Sequence, residues 1–264
     1  MLPITPLLHM MAPAGKRARL SVLIFHRVLR QPDPLFPGEM YAQRFDAVCR
    51  WLAAWFNVLP LDQAVSRLKA GSLPARAACI TFDDGYADNH EVAASILGRH
   101  GLSATFFIAT GFLDGGRMWN DTVIESVRQA GAATLELGHV GRFPIATIAE
   151  KRAAIDSVIG HIKYMPVAER LAIAAQVANA AHVEPPTDLM MTSNHVKALR
   201  HMGMQIGAHT VSHPILASIP DDDAKDEIRR SKAVLEALLQ EPVILFAYPN
   251  GKPGRDYLAK HALM

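Results

Sequence analysis

The chain has 264 residues, half of them hydrophobic, enough to bury a core without a stapling disulfide or a structural metal. Its 27 basic and 25 acidic side chains leave a net charge of +2, and no Lys/Arg cluster falls on a recognition element, which argues against a nucleic-acid partner. Two cysteines exclude a disulfide-rich scaffold, and no apolar run approaches the ~18 residues of a membrane-spanning helix.

Residues 1–19 read as an N-terminal extension. Their apolar stretch is interrupted by Pro3, Pro6 and His9, and the charges Lys16, Arg17 and Arg19 follow it, the reverse of the order in a secretory signal. A cytoplasmic location is the default expectation, with peripheral membrane association as an alternative. Residues 20–264 read as one domain. It opens with a buried strand at 21–25 that ends at His26, then a Pro-rich loop. The apolar spacing of Phe45, Val48, Leu52 and Trp55 predicts a helix over 41–56, and a second helix over 61–70 stops at Gly71. A strand at 77–82 runs into Asp83-Asp84-Gly85; a helix follows over 91–100 and a strand over 104–109.

The Ala-rich middle, about 121–190, reads as a mainly helical insertion with a short strand at 135–137. Beyond it come a helix over 192–202, a strand over 204–208 leading to His209 and His213, and a long helix over 221–240. Three Asp residues open that helix and suit its positive end. The last expected strand, 243–248, feeds Pro249-Asn250-Gly251. Cys49 and Cys79 fall in apolar patterns and read as buried free thiols.

Repeated strand–loop–helix units predict parallel strands in an open α/β sheet or a barrel. His26, Asp83/Asp84, His209/His213 and Asn250/Gly251 all follow expected strands, where such folds place their chemistry. Turn chemistry alone accounts for Asp-Asp-Gly, and two histidines four residues apart can be unrelated surface groups. The functional reading joins Asp84, His209 and His213 as two imidazoles and a carboxylate around a divalent ion. Zinc suits that set, and so do cobalt, nickel or iron. Asp83 then serves as general base and His26 as general acid for a departing amine, with backbone N–H groups around Asn250 holding an oxyanion. Trp119 is either a platform for a sugar ring or an ordinary core residue. Nine other histidines (9, 90, 100, 139, 161, 182, 195, 201 and 261) read as surface or packing groups.

Three segments, Thr81-Phe82-Asp83-Asp84-Gly85, His209-Thr210-Val211-Ser212-His213-Pro214 and Phe246-Ala247-Tyr248-Pro249-Asn250-Gly251, resemble in order and spacing the first motifs of the polysaccharide deacetylase family, carbohydrate esterase family four. Leu23-Ile24-Phe25-His26-Arg27-Val28 and Met118-Trp119-Asn120-Asp121 resemble a bacterial branch whose general-acid histidine lies near the N-terminus. The resemblance implies a distorted (β/α) barrel of about seven parallel strands. It also implies removal of acetyl groups from N-acetylated oligo- or polysaccharides, N-acetylglucosamine polymers among them. Asp83 would be the base, Asp84, His209 and His213 the metal ligands, His26 the acid, and Asn250 with Gly251 the oxyanion amides. Ala247 stands where the family usually has an arginine that orients the base. The sequence stops at Met264 soon after the last expected strand, so a barrel lacking its final strand is expected. Two alternatives accompany the deacetylase reading: an impaired relative that only binds carbohydrate, and an esterase acting on O-acetyl groups.

Overall fold

A computed structural model describes residues 4–258. After helix α1 (Ile4–Met11) come strand β1 (Ser21–Phe25), helix α2 (Ala42–Trp55), β2 (Asn57–Val58), α3 (Leu61–Lys69) and β3 (Ala77–Phe82). A π-helical turn, Asn89–Ala94, leads into α4 (Ser95–Arg99), followed by β4 (Thr105–Ile108) and α5 (Trp119–Gln129). Then come a hairpin of β5 (Thr134–Glu136) and β6 (Arg142–Pro144), the helices α6 (Ile148–Ile162), α7 (Val167–Ala181) and α8 (Ser193–His201), β7 (Gln205–Ala208) and α9 (Asp221–Leu239).

The sheet is parallel in the order β1-β3-β4-β7. From Ala78 to Phe82 β3 pairs with β1, while its first two residues pair with β2 and its last two with β4. All six residues of β3 and all four of β4 are buried, which is why both segments are near-continuous apolar runs. One sheet face carries Leu23, Phe25, Ile80, Phe82, Phe106 and Ile206 against the helices. The Phe82 ring stacks on Phe106 at 4.8 Å and on Phe25 at 5.4 Å, and Phe45 of α2 meets it edge-on at 5.7 Å. The opposite face is partly polar. There Gln205 Oε1 accepts from Thr105 Oγ1 and from the Leu61 N–H, tying β4, β7 and the start of α3 together.

A second apolar cluster lies in residues 119–181, where Val123, Val127, Leu135, Ile155, Val158 and Val177 pack between α5, α6, α7 and the hairpin. Leu35 from the loop after β1 joins it, and Arg128 of α5 pairs with Asp33 of that loop at 2.7 Å. Both cysteines are buried and free, and burial pushes the Cys49 thiol up to about 12 and Cys79 to about 11.

The parallel α/β architecture is as expected, with three differences in detail. Residues 243–248 make only one bridge, Phe246 to Ala208, rather than a strand. Prolines at 242 and 249 bracket that segment, and its Ala247 carbonyl is used by a side chain instead of a ladder. The helix expected over 91–100 begins as the π turn. Strands β2 and β6 are additional, each too short to show a periodic signal. Five parallel strands and the Phe246 bridge are thus present against about seven expected, and no pairing joins β1 to the Phe246 segment among the described residues. No described helix is long and apolar enough to cross a membrane. His261 lies outside the described residues.

Candidate active site

Because the sheet strands run in parallel, their carboxyl ends open on one rim, and the residues just past those ends converge there. His26 follows β1, Asp83 and Asp84 follow β3, and His209 and His213 follow β7. With Asn250 and Gly251 these groups line one cleft of about 420 Å³. Trp119 lines an adjoining cavity that shares Asp84, His213 and Asn250. The eight residues expected from the sequence are therefore brought to one place.

Asp84, His209 and His213 offer ligand atoms that all lie within 4.8 Å of one another. The Nε2 atoms of His209 and His213 approach the same carboxylate oxygen, Asp84 Oδ1, at 3.4 and 3.2 Å. That oxygen is buried and satisfied by no hydrogen bond. An orphaned buried carboxylate oxygen facing two imidazole nitrogens fits a divalent cation. His209 Nδ1 donates to the Ala247 carbonyl at 2.8 Å, which puts the ring proton on Nδ1 and leaves Nε2 as the ligand.

The electrostatics agree. Burial raises the Asp84 carboxyl, but His209, His213 and His26 outweigh it and bring the group down to about 2. Burial lowers His213 to about 4 against the pull of Asp84, so its imidazole is neutral at neutral pH. His209 is raised: burial lowers it, and the Asp84 and Asp83 carboxylates more than compensate. Asp83 is raised as well, chiefly by burial and against the attraction of His209 and His26.

Backbone strain concentrates here. Asp84 (φ 76°), Thr210 (φ 66°), His213 (φ 52°) and Asn250 (φ 65°) all sit in the left-handed region, and for β-branched Thr210 that is costly. The strain is held by partners the sequence motifs did not reveal. Glu227 of α9 accepts from the Val211 and Ser212 N–H groups at 2.8 Å each and from Ser212 Oγ at 2.7 Å. Only a long helix carrying a carboxylate signals it, and nothing local distinguishes Glu227 from its surface neighbours. If the three ligands hold a divalent cation, removing this clamp by Glu227→Ala is expected to weaken its binding about 10- to 100-fold, as loss of a group behind a metal ligand does. Competition with a chromophoric chelator measures it.

Gly111 supports the same loop from the other side. Its N–H donates to the Val211 carbonyl at 2.8 Å, and a Cβ there would lie 2.7 Å from that oxygen. We expect Gly111→Ala to cost about 1–3 kcal/mol of stability by overpacking against backbone, read as a lower urea midpoint. On the other side of the cleft, Asp88 fixes the chain after His26 by accepting from Arg27 Nε at 2.8 Å and the Val28 N–H at 3.0 Å. Asn89 Nδ2 donates to the His26 carbonyl at 2.9 Å. Trp119 is largely buried, with the Arg170 guanidinium 4.9 Å over its ring, so little of its face is open to a sugar.

The profile of the polysaccharide deacetylase family matches residues 70–137 and 168–263, more than half of the chain. A curated relative from Bacillus subtilis (strain 168), YxkH, bears the same family name and is 20% identical over 245 residues, 92% of this chain. The chain spans 61% of that relative's length. Among solved structures, the Streptococcus pyogenes deacetylase PplD in complex with acetate superposes with a TM-score of 0.55 at 19% identity, covering 88% of this chain and 74% of its own. IcaB from Ammonifex degensii gives 0.56 at 17% identity, covering 91% and 76%. A de-N-acetylase from Aggregatibacter actinomycetemcomitans gives 0.55 at 17% identity, covering 88% and 80%. At these identities the superpositions establish a shared fold. With the profile match carrying the motifs that build the cleft, this chain belongs to the polysaccharide deacetylase family.

Proposed function

We propose that the chain is a metal-dependent hydrolase that removes acetyl groups from N-acetylated sugars of a polysaccharide or its precursor. The observation that carries this is the buried, unpartnered Asp84 Oδ1 between two imidazole Nε2 atoms, on the same cleft as Asp83 and His26. Asp84, His209 and His213 would hold the ion, with zinc the first choice and cobalt, nickel or iron compatible with the donor set. When bound there, a divalent cation supplies Lewis acidity toward a carbonyl oxygen and makes water more acidic.

The protein's own groups divide the remaining work. Asp83 accepts a proton from the water that attacks the acetamido carbon, and its raised pKa makes it a stronger base than a solvated aspartate. The backbone N–H of Asn250 receives the negative charge that develops on the carbonyl oxygen, since that of Gly251 already donates to the Pro249 carbonyl at 2.8 Å. His26 donates a proton to the nitrogen as the C–N bond breaks, because an amine leaves poorly as an anion. Acetate and a free amino sugar result.

Acetate release from N-acetylglucosamine oligomers, with and without added zinc or cobalt, tests the reading. Metal-dependent release supports it. A folded, zinc-loaded protein that cleaves only O-acetyl esters would assign the same machinery to ester substrates. One that binds oligomers without turnover would be a carbohydrate-binding relative.

A further inference from the structure

Cations and carboxylates are not spread evenly around the candidate metal ligands. The cavity on the His213 side is lined by Lys163 and Arg170 together with Asp84, His213 and Asn250. The cavity on the His26 side carries Asp33, Glu39, Asp121 and Glu125 beside Arg27 and Arg128, so carboxylates outnumber cations there. Three of those carboxylates have partners: Arg128 pairs with Asp33 and Glu125, and Tyr86 donates to one oxygen of Asp121. Nothing comparable answers Arg170.

Arg170 is only 4% exposed, yet it forms no ion pair among the described residues. Its Nε is buried with no hydrogen-bond partner, and Nη1 makes one long bond of 3.4 Å to the Lys163 carbonyl. Trp119 fixes the guanidinium plane from 4.9 Å and contributes no acceptor oxygen. Burial alone lowers its pKa, with no carboxylate acting in the other direction. A buried, unpaired guanidinium is costly, whereas a planar fork held against an aromatic ring is preorganised for two oxygens of an anion. Lys163 stands at the same cavity, and Arg255 lies over the Tyr164 ring at 4.7 Å, so positive charge continues outward. The only carboxylate lining this cavity is Asp84, which the site commits to the ion.

We propose that Arg170 and Lys163 form a subsite for an anionic group, a carboxylate or phosphate, borne by the substrate beside the reacting N-acetyl sugar. This rests on the deacetylase reading and narrows its substrate to acidic glycans or sugar phosphates. The anion supplies the oxygens that Arg170 lacks, and the charge-assisted contact fixes the register of the sugar over Asp83 and His26.

The test uses the full chain carrying Asp83→Asn, loaded with zinc, in calorimetric titrations. Three probes are compared: the neutral N-acetylglucosamine trimer, a disaccharide of N-acetylglucosamine and glucuronate, and N-acetylglucosamine 1-phosphate. We expect the carboxylate or the phosphate probe to bind on the order of tenfold tighter than the neutral one. Whichever does so identifies the source of the anion. The anionic-to-neutral ratio should fall toward one on adding Arg170→Gln, and fall less on adding Lys163→Gln, which removes a charge at the partly exposed edge and keeps the test open if the buried change unfolds the protein. Equal binding of all three probes, or a ratio that survives both substitutions, overturns the proposal. So does an effect of the substitutions confined to free acetate, which would assign Arg170 to product binding. Acetate release by the protein with Asp83 intact separates the two readings. Release without anion preference defeats this inference alone, and no release from any probe defeats the deacetylase reading.

Discussion

Asp83→Asn is expected to lower acetate release from N-acetylated oligomers by about 10³-fold, within the range for removal of a general base. Zinc content and the urea midpoint should stay close to those of the parent. The argument rests on two adjacent carboxylates with different surroundings. Asp84 carries both imidazole contacts and is drawn down to about 2, which suits a ligand and makes it a poor base. Asp83 makes no contact with either Nε2 within ion-pair distance, and burial raises it. The amide of asparagine keeps shape and volume but loses the negative charge and with it the ability to accept the water's proton. KM should change much less than kcat, because the lost interaction belongs to the transition state. If turnover survives within tenfold while zinc stays bound, Asp83 is not the base.

The strand-end chemistry was legible because two patterns coincide. The apolar runs at 77–82 and 204–208 stop abruptly at Asp83/Asp84 and His209, and a parallel sheet forces such stops onto one rim. The supporting residues were not legible because their contacts are remote and have no period. Glu227 reaches back across fifteen and sixteen residues to Ser212 and Val211, and Asp88 reaches across sixty to Val28. Arg170 and Trp119 meet through packing of α7 on α5, which hydrophobic periodicity predicts as helices but not as a pair. The segment 243–248 shows the converse error. Its apolar composition reads as a strand, but its pairing is limited to the backbone bonds of Leu245 and Ala247 with Ala208, and its Ala247 carbonyl goes to His209. Only Val243 of that segment is buried and Ile244 is exposed, so apolar composition there records neither burial nor where a backbone acceptor goes.

Asp84→Ala is expected to abolish stable zinc binding, lowering affinity by at least about 10³-fold and taking activity with it, since a three-ligand site that loses its only carboxylate also loses its only negative charge. Equilibrium dialysis followed by metal analysis reads the first effect without reference to turnover. The same substitution has a second consequence in the metal-free protein. Burial lowers the His209 pKa and the Asp84 carboxylate is the main group that raises it, so that pKa should fall once the charge is gone. The parent makes the sign explicit. A raised histidine contributes stability below its unfolded pKa, and that contribution is lost as pH rises through the folded value. The depressed His213 acts oppositely: its neutral form is favoured in the fold, so acidification through the region between 6.5 and about 4 destabilises the protein. A divalent ion requires both rings unprotonated on Nε2. Near pH 6.5 the proton that the parent releases on binding zinc should therefore come from His209, because His213 is already largely neutral. Calorimetry in buffers of different ionisation enthalpy counts that proton. Zinc uptake with no proton release at pH 6.5, or unchanged zinc affinity in Asp84→Ala, would show that the ion does not sit between Asp84, His209 and His213.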